Sequence, residues 1–223
     1  MVDDRNDEWA SADRAAEALR VALVADLDSG FAEVVRSYER IVYSAALRLI
    51  GRPAEAEDVA AEAFLRAYRA LRGYDAERIQ CLRLRPWLLT IVRNTTRNSF
   101  REASRRPAPP PGVEPVETPA VGPSVAQQAE QNDLEQMLGA LLSQLPDAQR
   151  QAVVLRHVVG LPTSEVAEVL GCPEGTAKSH ISRGLRRLRA LALTAEGEFD
   201  DGYMVKEDLS TATSRPDPSA GSP

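Results

Sequence analysis

The residues best suited to chemistry with a partner are cations set at helical spacing. Residues 175–189 read GTAKSHISRGLRRLR, with Lys178, Arg183, Arg186, Arg187 and Arg189 and not one acid. Thr176, Ser179, His180 and Ser182 lie among them. Guanidinium and ammonium groups neutralise phosphates, and short polar side chains between them meet base edges, so this is equipment for reading nucleic acid rather than for making bonds. A second set spans Glu77 to Arg106, where eight Arg face only two acids, Glu77 and Glu102. Trp87 and Phe100 are interleaved there with Arg93, Asn94, Thr95, Thr96, Arg97, Asn98 and Arg101. Arginine holds phosphates while an aromatic plane can hold an unstacked base. Trp87 by itself reads first as a core residue; the combination is better explained by nucleic acid. A third set is acidic: Glu55, Glu57, Asp58 and Glu62. Its first reading is a solvated helix face, helped by acids near the positive N-terminal dipole.

Catalytic equipment is missing from the sequence. It shows no nucleophile–base pair and no phosphate-cradling Gly loop. Cys81 and Cys172 are far apart, and with two His they make neither a zinc motif nor a disulfide framework. No enzyme activity, metal or cofactor is expected, and isolated thiols fit a reducing cytoplasm. Residues 1–20 are charged and lack the apolar stretch of a signal peptide, and no apolar run approaches the roughly 20 residues of a membrane span. The chain has 223 residues and a net charge of −6. Its two ends, 1–30 and 194–223, carry −5 each, which leaves residues 31–193 at +4. The acidity therefore does not argue against a nucleic-acid partner.

Positioning these residues falls to helices. Ala, Leu, Arg and Glu runs with few β-branched alternations predict an all-α protein. Thr163-Ser164-Glu165 opens a short helix with Val166, Ala167, Val169 and Leu170 inward, and Gly171 stops it in the left-handed conformation. After Cys172-Pro173 a second helix repeats apolar residues at Ala177, Ile181, Leu185 and Leu188. Two helices with a tight Gly-containing turn, the second one basic, form the layout of a helix-turn-helix. Upstream, Leu134, Leu138, Leu141 and Leu145 make one stripe, and Pro146-Asp147 opens a helix over Ala148–Val159 with Val153, Val154 and Val158 as apolar contacts and His157 as a structural residue. In the N-terminal half, helices are predicted over Phe31–Ile50 and about Ala54–Leu71, the latter with Val59, Ala63, Phe64, Ala67 and Leu71 inward. A loop then runs to Pro86, and a third helix starts at Trp87. Seven Pro between Pro107 and Pro123 predict a semi-stiff tether. The expected organisation is an extension at 1–26, either a loosely docked helix or disordered; a helical domain at 27–106; a Pro-rich linker at 107–127; a helix-turn-helix domain at 128–193; and an acidic, disordered tail at 194–223.

Two stretches resemble one family, the extracytoplasmic-function (ECF) class of bacterial RNA polymerase sigma factors. EAEDVAAEAFLRAYRAL and WLLTIVRN (Glu55–Leu71, Trp87–Asn94) look like its first conserved domain. LPDAQRQAVVLRHVVGLPTSEVAEVLGCPEGTAKSHISRGLRRLR (Leu145–Arg189) looks like its C-terminal promoter-binding domain. The resemblance implies a non-enzymatic promoter-specificity subunit that binds core RNA polymerase, through the clamp of the largest subunit and the flap of the second largest. It implies that Glu55, Asp58, Glu62 and Arg66 contact the polymerase. It places Trp87, Arg93, Asn94, Arg97, Asn98 and Arg101 on the minus-ten DNA, where a base is flipped out and captured. Thr176, Lys178, Ser179, His180, Ser182, Arg183, Arg186 and Arg187 fall on the minus-thirty-five DNA. It also implies an anti-sigma factor and no insertion into membranes. Ala61 replaces the usual Gln, Asn98 the usual Asp, Leu84 a common Phe and His180 a frequent Arg, and the loop from Gly73 to Leu84 does not look like the family's. The alternative is a stand-alone helix-turn-helix regulator that needs no polymerase; the tether to a second basic domain with Trp87 and Asn94 argues against it.

Overall fold

The computed structural model describes residues 3–103 and 137–207, with side chains for 14–101 and 137–194. The Pro-rich stretch at 107–127 and residues 208–223 lie outside the described residues. Among the described residues all regular structure is helical. The elements are α1 (Asp3–Ala25), α2 (Leu27–Ile50), α3 (Pro53–Leu71), α4 (Ala76–Gln80), α5 (Leu84–Ala103), α6 (137–143), α7 (Asp147–Val153), continued by a π-helical turn over Val154–Val158, α8 (Thr163–Leu170) and α9 (Glu174–Glu207).

The N-terminal extension holds α1, which docks through its second half. Leu19 and Leu23 of α1 are buried with Val34 of α2, Leu71, Ile79 and Leu84. α1 and α2 meet at Gly30, where a Cβ would lie 2.5 Å from the Leu23 nitrogen, so only Gly lets the two backbones approach. Asp26 caps α2 by accepting the Ser29 N–H at 2.7 Å, which holds its carboxyl below the usual range. Helices α2, α3 and α5 then share a core of Val42, Ala45, Ala46, Ala56, Val59, Ala63, Ala67, Leu88, Leu89 and Val92. Small residues on α3 let these helices pack closely.

Two expectations for this half need correction. The stretch before Pro86 holds α4, capped by Asp75 through the Arg78 N–H at 2.8 Å. And α5 begins at Leu84 rather than at Trp87. Proline is tolerated in a first turn, where its missing N–H has no intrahelical partner to lose.

The C-terminal half packs α7, α8 and α9 around Ala152, Val166, Ala167, Val169, Ala177 and Ile181. Gly171 ends α8 with φ of 66°, as the sequence predicts. The helix after Pro146 departs from expectation. Val159 donates its N–H to the Val154 carbonyl at 3.0 Å, five residues back. That wider turn puts Val159 rather than Val158 beneath Val154: Val159 and Leu155 are buried, while Val158 and His157 are exposed. The structural role expected of His157 is therefore not seen. The tail is also corrected in part, because α9 continues through 194–207. Ala195, Glu196, Glu198, Met204 and Glu207 favour helix there, and no Pro intervenes before Pro216.

The two halves are not separate bodies joined only by a tether. One buried cluster runs from Leu88, Leu89 and Val92 to Leu155, Val159, Leu161, Val166 and Val169.

Candidate nucleic-acid interface

α9 is held by one face and leaves the other free. Pro173 sets its start: the Thr176 and Ala177 N–H groups donate to the Pro173 carbonyl at 2.9 and 3.1 Å. Ala177, Ile181 and Gly184 are buried, and Leu185 and Leu188 are half-buried. Gly184 is required there, because a Cβ would lie 2.6 Å from Val153 Cγ2 and 3.2 Å from the Gln149 carbonyl oxygen. Sequence reading missed it; its position three residues after Ile181 and seven after Ala177 is the signal that could have found it. On the opposite side Thr176, Lys178, Ser182, Arg183, Arg186 and Arg187 are exposed. At 3.6 residues per turn, Lys178, Ser182, Arg183 and Arg186 share about 140° of the helix surface, the width that enters a major groove. Ser179, within that arc, and His180, beyond its edge, are half-buried. The Ser179 hydroxyl donates to the Gly175 carbonyl at 2.8 Å, so its proton is not free for a base, and His180 Nδ1 is buried without a partner.

α5 is arranged differently. Leu88, Leu89 and Val92 are buried, and so are Thr95 and Thr96, whose hydroxyls donate to the Ile91 and Val92 carbonyls at 2.9 Å. The two threonines therefore face the core and not a partner. Asn94, Arg97, Asn98 and Arg101 are exposed. Trp87 is half-buried where the two cores meet, its ring 6.2 Å from that of Tyr74. Neither Trp87 nor Asn94 is sealed in.

Several cations of this half turn to the C-terminal half. Arg83 pairs with Glu165 at 2.5 Å and Glu168 at 2.6 Å of α8, and Arg85 donates to the Val159 carbonyl. Arg93 donates to Gln151 Oε1 at 2.7 Å and to the Val169 carbonyl at 3.4 Å. Burial, and then the charge of Arg97, pull the Arg93 guanidinium down from its ordinary value, though it stays charged. Arg83 and Arg85, counted from sequence among phosphate contacts, and Arg93, placed on minus-ten DNA, meet protein here.

On α3, Glu55 pairs with Arg52 and Glu62 with Arg66, each at 2.7 Å, and Asp58 is exposed. Leu65 shares this face and is 50% exposed. An apolar side chain among charges marks a contact surface better than the acids alone, and its place three residues after Glu62 is the signal that sequence reading passed over. Among the described residues no group of His, Cys, Asp and Glu is gathered to hold a metal, and no helix is long and apolar enough to cross a membrane.

The geometry has counterparts in known proteins. Family models match twice: Sigma-70 region 2 over residues 34–106 and Sigma-70, region 4 over residues 135–188. The ECF RNA polymerase sigma factor SigW of Bacillus subtilis is 31% identical over 166 residues, covering 71% of this chain and 87% of that protein. The RNA polymerase sigma-E factor of Streptomyces avermitilis is 31% identical over 159 residues, covering 71% and 83%. Among solved structures, the sigma factor RpoE in complex with the anti-sigma factor NepR from Bartonella quintana aligns over 73% of this chain and 96% of that one, with a TM-score of 0.56 and 25% identity. CnrH in complex with the cytosolic domain of CnrY aligns over 81% and 98%, with a TM-score of 0.61 and 23% identity, a likeness of fold.

Proposed function

Since the chain belongs to the ECF class of RNA polymerase sigma factors, we propose that it binds core RNA polymerase in the cytoplasm and directs initiation at promoters carrying paired minus-thirty-five and minus-ten elements. Sigma factors are initiation factors and not enzymes; bond formation belongs to the polymerase. The observation that carries the reading is the pair of exposed polar and basic faces on separate helices of one chain, Lys178–Arg187 on α9 and Asn94–Arg101 on α5. In this reading α9 docks in duplex DNA, with Lys178, Ser182 and Arg183 at base edges and Thr176, Arg186 and Arg187 at phosphates. Ser179 contributes its lone pairs and His180 lines the rim. Asn94, Arg97, Asn98 and Arg101 follow the separated strand, and the half-buried Trp87 supports the base that leaves the stack. Glu55, Asp58, Glu62 and Arg66, with Leu65, form the polymerase-facing surface. Arg93 reaches DNA only after α7 and α8 move away from α5. The segment at 107–127 then serves as the tether that makes the second engagement intramolecular.

The partner named for the Bartonella relative supports an anti-sigma factor here too. Run-off transcription with the full chain and purified core polymerase tests the reading. A transcript that starts at one position and depends on the upstream paired motif is expected. DNA binding by the chain with no polymerase-dependent transcript would instead make it a stand-alone regulator.

A further inference from the structure

A cavity between α5 and α7 gathers cations from both halves, one of which, Arg150, the promoter reading does not use. It has a volume of 290 Å³ and takes its walls from both halves: Arg93, Arg97, Phe100 and Arg101 from α5, Asp147 and Arg150 from α7. Four guanidiniums thus surround one carboxylate. That carboxylate is already engaged, by Arg150 Nη2 at 3.0 Å and Gln151 Nε2 at 2.7 Å. Arg150 Nε is buried with no partner, and the Arg150 guanidinium carbon sits 5.7 Å from the centre of the Phe100 ring. Arg97 and Arg101 make no ion pair among the described residues. Like charges gathered in a partly desolvated cleft repel more strongly than in water, and an anion placed among them relieves that repulsion.

We propose that this cavity binds a compact polyphosphate anion, bridging Arg97 and Arg101 of α5 to Arg150 of α7. Guanidinium forks suit phosphate oxygens, and the cavity lies at the small end of ligand sites, which selects one compact ligand over a polymer. Free polyphosphate and the phosphate tail of a nucleotide share this chemistry. The site needs only the packing of α5 on α7, so it stands or falls separately from the promoter reading. It has one consequence for that reading: the anion and the minus-ten strand would compete for Arg97 and Arg101.

Calorimetric titration of the full chain with tripolyphosphate, at constant ionic strength, tests the site. Saturable one-to-one binding is expected. Arg150→Ala and Arg97→Ala should each weaken it about tenfold, the loss of one charge-assisted bond to phosphate. Asp147→Asn should tighten it several-fold, a gain that misfolding cannot imitate. Arg36→Ala, exposed on α2 and outside the cavity lining, should change nothing. Tighter binding of ATP than of tripolyphosphate assigns the site to a nucleotide; weaker binding assigns it to free polyphosphate. No saturation overturns the proposal. So does an Arg36→Ala effect equal to that of Arg150→Ala, which marks diffuse attraction, or an Arg97→Ala loss with Arg150→Ala silent, which confines the anion to α5.

Discussion

The two basic helices look alike in sequence and are used unlike each other in the structure. α9 buries one stripe, Ala177, Ile181 and Gly184, and every cation on its other side is exposed. α5 is gripped from two directions, by α2 and α3 on one side and by α7 and α8 on another, so Arg93 is half-buried against Gln151 while Arg97, four residues on, is exposed. A cation pattern shows a helix's partner face directly when the helix packs on a single side. When it packs on two, charge alone does not say whether an arginine meets DNA or a second domain.

The strongest way to break this comparison is to dislodge α9. Gly184→Leu forces a side chain into Val153 and the Gln149 carbonyl, and should cost about 3 kcal/mol or more by overpacking. Gly175→Ala, with open space at its Cβ, should be neutral or gain up to about 1 kcal/mol. Urea unfolding of the two variants measures the difference, and equal midpoints would mean that α9 does not rest on α7 as described.

Next in size is the contrast between exposed and engaged arginines. Arg183→Ala should weaken binding of the full chain to duplex promoter DNA by about 1–3 kcal/mol and flatten its salt dependence. Arg93→Ala should leave that affinity nearly unchanged, because its guanidinium faces Gln151 and the Val169 carbonyl. Fluorescence anisotropy across a salt series reads both. Matching losses for the two variants would erase the distinction between the helices.

The difference also explains what was legible beforehand. Apolar stripes placed α2, α3 and the helix-turn-helix, because burial on one face writes a 3.6-residue period into the sequence. Gly171 and Gly51 stop helices in left-handed geometry, and such stops are readable from residue type. The π turn was not readable: its hydrogen bond from Val159 to Val154 moves the buried face by one residue, and no local residue type announces it. Thr95 and Thr96 read as polar partners because their sequence does not show that the backbone four residues back accepts their protons. The turn of Arg83, Arg85 and Arg93 toward the other half was hidden for a different reason. It depends on contacts 58 to 85 residues away in the chain, which periodicity cannot encode.

Arg83 offers a smaller, sharper test of that packing. It bridges Glu165 and Glu168 while its side chain remains 54% exposed, so each pair contributes no more than about 0.2–1 kcal/mol. Arg83→Glu replaces two attractions by two repulsions and should shift the balance toward separated halves by about 1 kcal/mol, roughly fivefold. Energy transfer between a dye on residue 52 and one on residue 189 should fall, and restoring opposite charge with Glu165→Arg and Glu168→Arg should recover it. Unchanged transfer in Arg83→Glu would show that apolar burial alone holds the halves together.

The smallest effect concerns the π turn. His157 lies on it, exposed by area yet sufficiently desolvated, and close enough to Arg156, that its pKa falls below the ordinary 6.5. In the folded chain it therefore binds protons less readily than in the unfolded chain. Stability from this group is complete above the unfolded value and is lost as pH falls through and below about 6.5. Because the ring is largely in solvent, the loss should stay well under about 1 kcal/mol. Other groups titrate in acid as well, so the signal is the difference between wild type and His157→Gln, measured as urea midpoints near neutral pH and about one unit below 6.5. The variant should lose less on acidification. Arg156→Gln, which removes the second cause of the shift but also frees the Leu161 carbonyl it holds at 2.7 Å, should narrow the same difference while lowering stability at both pH values. If His157→Gln instead loses more than wild type in acid, the imidazolium is stabilised by folding, and the wide turn presents His157 to an acceptor rather than to Arg156.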